Sequence, residues 1–169
     1  LLSFDEPFRS LVHQGIILGP DGNRMSKSRG NVISPDAYIQ KYGADIFRLY
    51  LSFGFSYIEG GAWNDDGIKA VYRFLERVER LTERVTALPQ KGKRAPGPAE
   101  KELLYTAHYT IKSMTADIDR FQFNTAIARL MELVNALYKA LDTADIDALT
   151  VHEVTRNLLR LLAPFCPHA

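Results

Sequence analysis

Three cationic side chains, Arg24, Lys27 and Arg29, fall within the short stretch RMSKSRGN at residues 24–31, hereafter the basic loop. Two serines, a glycine and an asparagine lie among them, and no acidic residue occurs between Asp21 and Asp36. Such a loop suits a phosphate group, because charge-assisted hydrogen bonds to phosphate oxygens are strong and glycine allows close backbone approach. The residue types are compatible with an anion-binding loop, but a surface loop with three cations is usually just solvated, so spacing alone leaves both interpretations open.

Lys27 has a side chain that suits a phosphate group. Its compact charge on a flexible stem can follow a group whose charge moves during a reaction. Ser26 and Ser28 can donate hydroxyl hydrogen bonds. The stretch is not a P-loop, because the pattern GxxxxGK[ST] is absent.

The flanking residues predict the elements that hold the basic loop. The apolar run GIILG, residues 15–19, predicts a short buried strand, and PDGN, residues 20–23, predicts a turn. After the loop, Ser34 as N-cap, Pro35 at the first helical position and Asp36 in the first turn predict a helix that ends near Gly43. A second helix, about residues 44–54, is too apolar all round to be exposed.

The composition shifts at residues 60–63, and from Asn64 onward the pattern predicts helices only. Asn64 is a plausible N-cap, and helices are expected from there to Pro89, over about 99–120 and 123–142, and from near residue 150. Apolar residues of the first of these helices keep near-heptad spacing, which indicates the seam of a packed bundle. They are Ile68, Val71, Leu75, Val78 and Val85.

Four arginines of the same helix fall at i, i+4, i+7 and i+11, which places them on one helix face. Spaced arginines can follow a phosphate backbone, so this stripe is a candidate RNA-contacting surface. Glutamates interleave with them, and an ion-paired surface is the alternative. The four are Arg73, Arg77, Arg80 and Arg84.

A polar connector, residues 89–98, offers Lys91, Lys93 and Arg94 as another candidate RNA contact or as a solvated linker. Trp63 is interpreted as a packing residue at the boundary that the composition shift at residues 60–63 marks. The aromatic residues of the helices fall among apolar positions, and we expect them to lie mostly in the core. They are Tyr72, Phe74, Tyr105, Tyr109, Phe121, Phe123 and Tyr138.

Composition limits the class of protein. The 169 residues are 46% hydrophobic, with 21 basic against 20 acidic side chains, so overall charge does not argue for a nucleic-acid partner. The one cysteine, Cys166, excludes an internal disulfide and a cysteine-based zinc site, and the histidines lack ligand spacing. We therefore expect no metal site. We also expect a cytoplasmic location, since neither a signal peptide nor a membrane-length apolar run occurs. Both ends look cut, which suggests a piece of a larger protein.

The sequence RMSKS, residues 24–28, resembles the KMSKS motif of class I aminoacyl-tRNA synthetases. The flanks resemble the large aliphatic members of that class, and the leucyl-tRNA synthetases most of all. Nearly the whole chain takes part in the resemblance. The matching stretches are EPF at residues 6–8, GNVISPD at 30–36, YGADIFR at 42–48, GAWND at 61–65, FNTAI at 123–127 and LLAPF at 161–165.

This resemblance implies ATP-dependent joining of leucine to tRNA(Leu) through leucyl-adenylate, with Mg²⁺ accompanying ATP in the full-length enzyme. It implies that residues 24–28 (Arg24, Met25, Ser26, Lys27 and Ser28) form the ATP and pyrophosphate loop. Lys27 matches the second lysine of the motif and would be the catalytic cation, closing over phosphates as their charge grows. Arg24 departs from the first lysine, and Met25 would be the apolar anchor of the loop.

The resemblance also implies a mainly α fold in two parts. Residues 1–62 would be the C-terminal tail of a Rossmann-like α/β catalytic domain, and residues 63–169 a truncated antiparallel helical bundle of the anticodon-binding type. No His-x-Gly-His sequence matching the HIGH motif occurs, so we expect the isolated piece to be inactive. The alternatives are a valyl- or isoleucyl-type synthetase fragment, or a non-catalytic RNA-binding helical module.

Overall fold

The computed structural model describes residue 3, residues 7–89 and residues 95–169. The Glu6 part of the EPF match and the connector cations Lys91, Lys93 and Arg94 lie outside these residues. The fold is mainly helical, with two short strands and six α-helices in the described residues. In chain order they are β1 (Ile16–Leu18), α1 (Pro35–Tyr42), α2 (Ala44–Phe53), β2 (Gly60–Ala62), α3 (Asp65–Thr86), α4 (Pro98–Asp119), α5 (Phe123–Leu141) and α6 (Ala148–Leu162).

The strands β1 and β2 form a two-stranded parallel sheet in which Ile17 is paired with Gly61. The backbones come so close that a Cβ atom built on Gly60 would lie 2.1 Å from the carbonyl oxygen of Ile16. Gly60 also has φ 78°, in the left-handed region. A side chain at this position would therefore push β1, and with it the start of the basic loop, away from β2.

An aromatic cluster around Trp63 joins the sheet to the helices. Trp63 is buried, and its ring centroid lies 4.8 Å from that of Tyr38 and 5.0 Å from that of Tyr50. Its indole N–H and the Tyr38 hydroxyl both donate to Oδ1 of Asp65, in the first turn of α3. Asn64 is the N-cap of α3, because its Oδ1 accepts the backbone N–H of Asp66 at 2.8 Å. The packing role expected of Trp63 and the cap expected of Asn64 are confirmed.

The helices α3 to α6 share one core, in which α5 packs against α2, α3, α4 and α6. Leu130, Leu133 and Leu137 of α5 are fully buried. All five apolar residues of the predicted seam on α3 are buried as well. The helical period therefore predicted correctly which face of α3 meets its neighbours.

Three expectations from the sequence differ from the structure. The strand β1 was expected to be buried, but Ile16 is 54% exposed and Ile17 and Leu18 are half-buried, because β1 pairs with β2 alone among the described residues. Tyr72, Tyr105 and Tyr109 are exposed by 40%, 72% and 45% and are not core residues, because they lie on outward helix faces. Tyr105 and Tyr109, one helical turn apart, stack on each other. Ser34 precedes α1 as expected, but its hydroxyl bonds the Asp36 carboxylate and not a backbone N–H.

No helix among the described residues is long and apolar enough to cross a bilayer.

Candidate functional site

The basic loop leaves the sheet through a tight turn and returns to α1. After β1, the backbone N–H of Gly19 donates to the Asn23 carbonyl at 2.8 Å, and Leu18 then forms an antiparallel bridge with Arg24. The loop continues into a single 3-10 turn at Lys27–Arg29. Gly30 ends this turn with φ 67°, and its N–H donates to the Lys27 carbonyl. The glycine allows the left-handed conformation that reverses the chain toward α1.

The side chain of Asn31 closes the base of the loop. Its Oδ1 accepts the backbone N–H of Ser26 at 2.8 Å, and its amide nitrogen lies 3.3 Å from the Arg24 carbonyl. The same nitrogen donates to the Asp21 carboxylate at 3.1 Å. One amide group therefore joins the turn before the loop to two points within it.

The Asp21 carboxylate is a fixed acceptor at the base of the loop. It accepts from the side chain of Asn31, and from both the backbone and the side chain of Asn23. These donors, the Asn31 amide first among them, lower the pKa of Asp21 below its ordinary value. Neither Asp21 nor Asn31 had a predicted role; their side chains can form the hydrogen bonds that close the loop, but nothing in their spacing indicated these bonds.

The cations of the basic loop face solvent. Arg24, Lys27 and Arg29 are exposed, and in the described part of the chain none of their side chains forms an ion pair. Ser26 and Ser28 lie two residues apart with their hydroxyl oxygens 2.8 Å from each other. Met25 is half-buried and packs against the core, as an apolar anchor would. The loop thus presents cationic side chains on a backbone that its own polar groups hold.

The four arginines of the α3 stripe have two different environments. Arg77 donates to the Asn135 amide oxygen at 2.8 Å, and Arg84 forms an ion pair with Asp142 at 3.2 Å. The guanidinium groups of both lie over the Tyr138 ring, at 5.3 and 5.5 Å from its centroid.

Arg73 and Arg80 of the same stripe are exposed. The Arg73 side chain donates a hydrogen bond to the Lys69 carbonyl of its own helix. Two arginines of the stripe therefore pack on α5, and two extend toward solvent.

The described residues contain no group of three or more His, Cys, Asp or Glu side chains that could hold a metal ion.

Two family models match the chain. The model of class I tRNA synthetases (I, L, M and V) matches residues 2–62, which include the basic loop. The model of the anticodon-binding domain of tRNA ligase matches residues 100–169.

The chain is also similar to curated proteins. It is 61% identical over 171 residues to the leucine–tRNA ligase of Caldanaerobacter subterraneus subsp. tengcongensis, covering 99% of this chain and 21% of that protein. It is 58% identical over 170 residues to the leucine–tRNA ligase of Clostridium perfringens strain SM101, with the same coverage. The chain thus spans about a fifth of the length of the curated relatives that it matches.

Solved structures share its fold. The crystal structure of the ternary complex of Agrobacterium radiobacter K84 agnB2 LeuRS, tRNA and LeuAMS superposes with a TM-score of 0.85 at 36% identity, covering 98% of this chain and 22% of that one. Mycobacterium tuberculosis methionyl-tRNA synthetase in complex with methionyl-adenylate superposes with a TM-score of 0.74 at 20% identity, over 92% of this chain and 35% of that one. The second likeness concerns the fold alone.

Proposed function

Because the chain belongs to the class I tRNA synthetases, we propose that it is a segment of a leucine–tRNA ligase that supplies the loop closing over the phosphates of ATP and helices that contact tRNA(Leu). The observation that carries the proposal is the basic loop. Its cations face solvent without an acidic partner in the described residues, on a backbone that Asn31 holds closed. Leucine would bind in a part of the ligase beyond these 169 residues.

In this proposal Lys27 acts on the phosphates during adenylate formation. As the leucine carboxylate attacks the α-phosphorus, negative charge builds on the departing pyrophosphate. A cation aimed at that charge stabilises the transition state more than the ground state. Arg24, Ser26 and Ser28 add donors around it, and Met25 seats the loop on the core. The chemistry of these donors fits the triphosphate of ATP.

The division of the chain follows from the same proposal. Residues 1–62 would end a Rossmann-like catalytic domain with the KMSKS-type loop, and residues 63–169 would form an antiparallel bundle of the anticodon-binding type. The break in composition at residues 60–63 and the ranges of the two family models support this boundary. A ligase that charges tRNA would work in the cytoplasm.

The arginine stripe on α3 is the proposed tRNA contact of the bundle. Arg73 and Arg80 are free to meet phosphates directly, whereas Arg77 and Arg84 would have to leave Tyr138 and their α5 partners. We therefore propose that Arg73 and Arg80 make the first contacts.

The decisive experiment is Lys27→Ala in the longer ligase that contains this segment. Removing one preorganised charged donor should lower leucine-dependent ATP–pyrophosphate exchange by roughly 100- to 1,000-fold, or about 3–4 kcal/mol. The Michaelis constant for leucine should change little, because the amino acid does not touch this loop. Transfer from preformed leucyl-adenylate should be largely spared, since pyrophosphate has already left.

Two further variants of the same loop serve as controls. Lys27→Arg keeps the charge but changes reach and shape, so partial activity is expected. Arg24→Ala should cost less than Lys27→Ala. Exchange within a few-fold of wild type in Lys27→Ala would refute the role of Lys27. A defect confined to transfer would make the loop an RNA-backbone contact, and exchange driven by valine or isoleucine instead of leucine would favour the related synthetases.

A further inference from the structure

Besides the aromatic cluster around Trp63, contacts at two more places join the loop-bearing part (residues 7–62) to the helical part (residues 63–89 and 95–169), and the proposed chemistry uses neither. The first is an aromatic contact at the turn between α4 and α5. The Tyr57 ring stacks on Phe121, with centroids 5.1 Å apart and 21° between the planes, and meets Phe123 edge-on at 5.4 Å. Phe123 in turn packs against Phe165, after α6. Tyr57 is thus inserted among rings of the helical part.

The backbone of Phe121 has an unusual conformation for an aromatic residue. It follows the C-cap residue of α4, Arg120, with φ 59°, a left-handed position that glycine usually occupies. A bulky residue in this region costs of order 1 kcal/mol. In this conformation the Phe121 ring stacks on Tyr57, which offsets part of the strain. The strained backbone therefore indicates that the contact between Phe121 and Tyr57 has a role.

The second place is a clasp between α2 and the segment after α6. The Arg48 guanidinium donates to the Pro164 carbonyl at 3.0 Å and to the Phe165 carbonyl at 3.4 Å. The Asp45 carboxylate accepts the backbone N–H of His168 at 2.7 Å, and the Asp45 carbonyl lies 3.7 Å from the thiol of Cys166. The YGADIFR stretch that resembles the synthetases thus contacts the helical part through both of its charged side chains.

Tyr57 is connected to the basic loop through a few backbone residues. The Tyr57 carbonyl accepts the backbone N–H of Gly15 at 2.7 Å, and Gly15 directly precedes β1. β1 then leads into the basic loop. The side-chain hydrogen bonds that hold the loop itself run between residues 21 and 31 and do not involve the helices.

We propose that Arg48, Tyr57 and Phe121 are positioning residues that fix the helices relative to the basic loop, and that charging of tRNA needs them whereas adenylate formation does not. This inference rests on the proposed function. The helices would bind the tRNA. The contacts of Arg48, Tyr57 and Phe121, hereafter the junction, would then determine where the acceptor end of the tRNA meets the adenylate. A displacement of about 1 Å from a distant site can lower a rate by roughly 100-fold.

The test compares two reactions of the longer ligase with Tyr57→Ala, Phe121→Gly and Arg48→Lys. Tyr57→Ala and Phe121→Gly remove one ring each, and the glycine suits the left-handed backbone, so Phe121→Gly should still fold. Arg48→Lys keeps the charge but loses the fork that meets two carbonyls. In each variant we expect kcat/KM for tRNA charging to fall roughly 10- to 100-fold, with pyrophosphate exchange within about threefold of wild type.

Conservative and distant variants complete the comparison. Tyr57→Phe keeps the stacked ring and should restore charging. Tyr105→Ala removes an exposed tyrosine whose ring contacts its own helix, and it should behave as wild type. Equal losses in both reactions would show a general loss of folded enzyme, and unchanged charging would show that the junction is passive; either result overturns the inference. Absence of both reactions in the unmodified ligase would instead refute the proposed function.

Cys166 gives a direct readout of the clasp in the 169-residue chain. It is the only cysteine, it is buried, and burial raises the pKa of its thiol to about 12, so alkylation in the closed state is slow. Arg48→Lys should raise the rate of alkylation by iodoacetamide at pH 8 roughly tenfold, because the segment after α6 opens more often. Arg160→Lys, on the exposed face of α6, should leave the rate unchanged. An unchanged rate in Arg48→Lys would refute the clasp.

Discussion

At the scale of single residues, the basic loop depends on an amide that carries no charge. Asn31 both donates to Asp21 and accepts from Ser26, so it connects the turn to the loop in a way that alanine or a carboxylate could not. The Asp21 carboxylate accepts from two asparagine side chains, and the loop cations form no ion pair in the described residues. The hydrogen bonds that close the loop and the positive charges that can bind an anion therefore come from different residues.

Asn31→Ala should raise the pKa of Asp21 toward its ordinary value of 3.8, because the Asn31 amide is the largest cause of its depression. The carboxyl resonance of Asp21, followed by NMR from pH 2 to 6, should titrate at a higher pH in the variant. Since the folded pKa is depressed, the stabilisation that this carboxylate contributes is present above 3.8 and is lost as the pH falls through the folded pKa. An unchanged midpoint would show that Asn31 does not hold Asp21 in solution. Ser34→Ala, outside the loop base, serves as the control.

At the scale of elements, α1 and α3 begin with residues of the same capping class but in different ways. Asn64 bonds a backbone N–H of α3, whereas the Ser34 hydroxyl bonds a side chain. Asn64→Ala should therefore lower the free energy of unfolding by about 1 kcal/mol, and Ser34→Ala by less than about 0.5 kcal/mol. Urea unfolding followed by circular dichroism measures both. Equal effects would contradict the difference in capping.

The arginine stripe on α3 separates into two pairs that can be tested against each other. Changing Arg73 and Arg80 to Gln should weaken tRNA binding by the chain and lower the slope of log affinity against log salt by roughly two, since each arginine would lose a phosphate contact. Changing Arg77 and Arg84 to Gln should instead lower the free energy of unfolding by roughly 1 kcal/mol, because their contacts with Tyr138 and α5 are lost. If neither pair changes tRNA affinity, the stripe is an ordinary surface.

At the scale of the whole molecule, the chain would carry one side of an ATP site. Its basic loop can meet phosphates, but no stretch of the 169 residues resembles the HIGH motif that forms the other side in the family. We therefore expect the chain to bind tRNA weakly and to show no leucine-dependent ATP–pyrophosphate exchange. The longer ligase at the same concentration is the positive control, and exchange by the chain above background would contradict this prediction.

Many local features of the fold could be predicted because they depend on neighbours within about one helical turn. The Asn64 cap, the buried face of α3 and the strand before the basic loop follow from such short-range patterns. The bounds of α2, α4 and α5 lie within one residue of those expected. The burial predicted for Tyr72, Tyr105 and Tyr109 was wrong, because an aromatic residue on a helix is buried only if its face of the helix meets a neighbouring element.

By itself, the sequence determined the residue types at the basic loop, the order of the helices and the family that the chain resembles. Only the tertiary structure decided which groups meet: Asn31 with Asp21 across ten residues, and Arg48 with Pro164 across 116. It also decided that Arg77 packs on α5 while Arg73 bonds a carbonyl of its own helix. These pairings depend on how the helices pack against one another. The spacing of residues along a single helix predicts which face is buried, but not which residues of another element that face contacts.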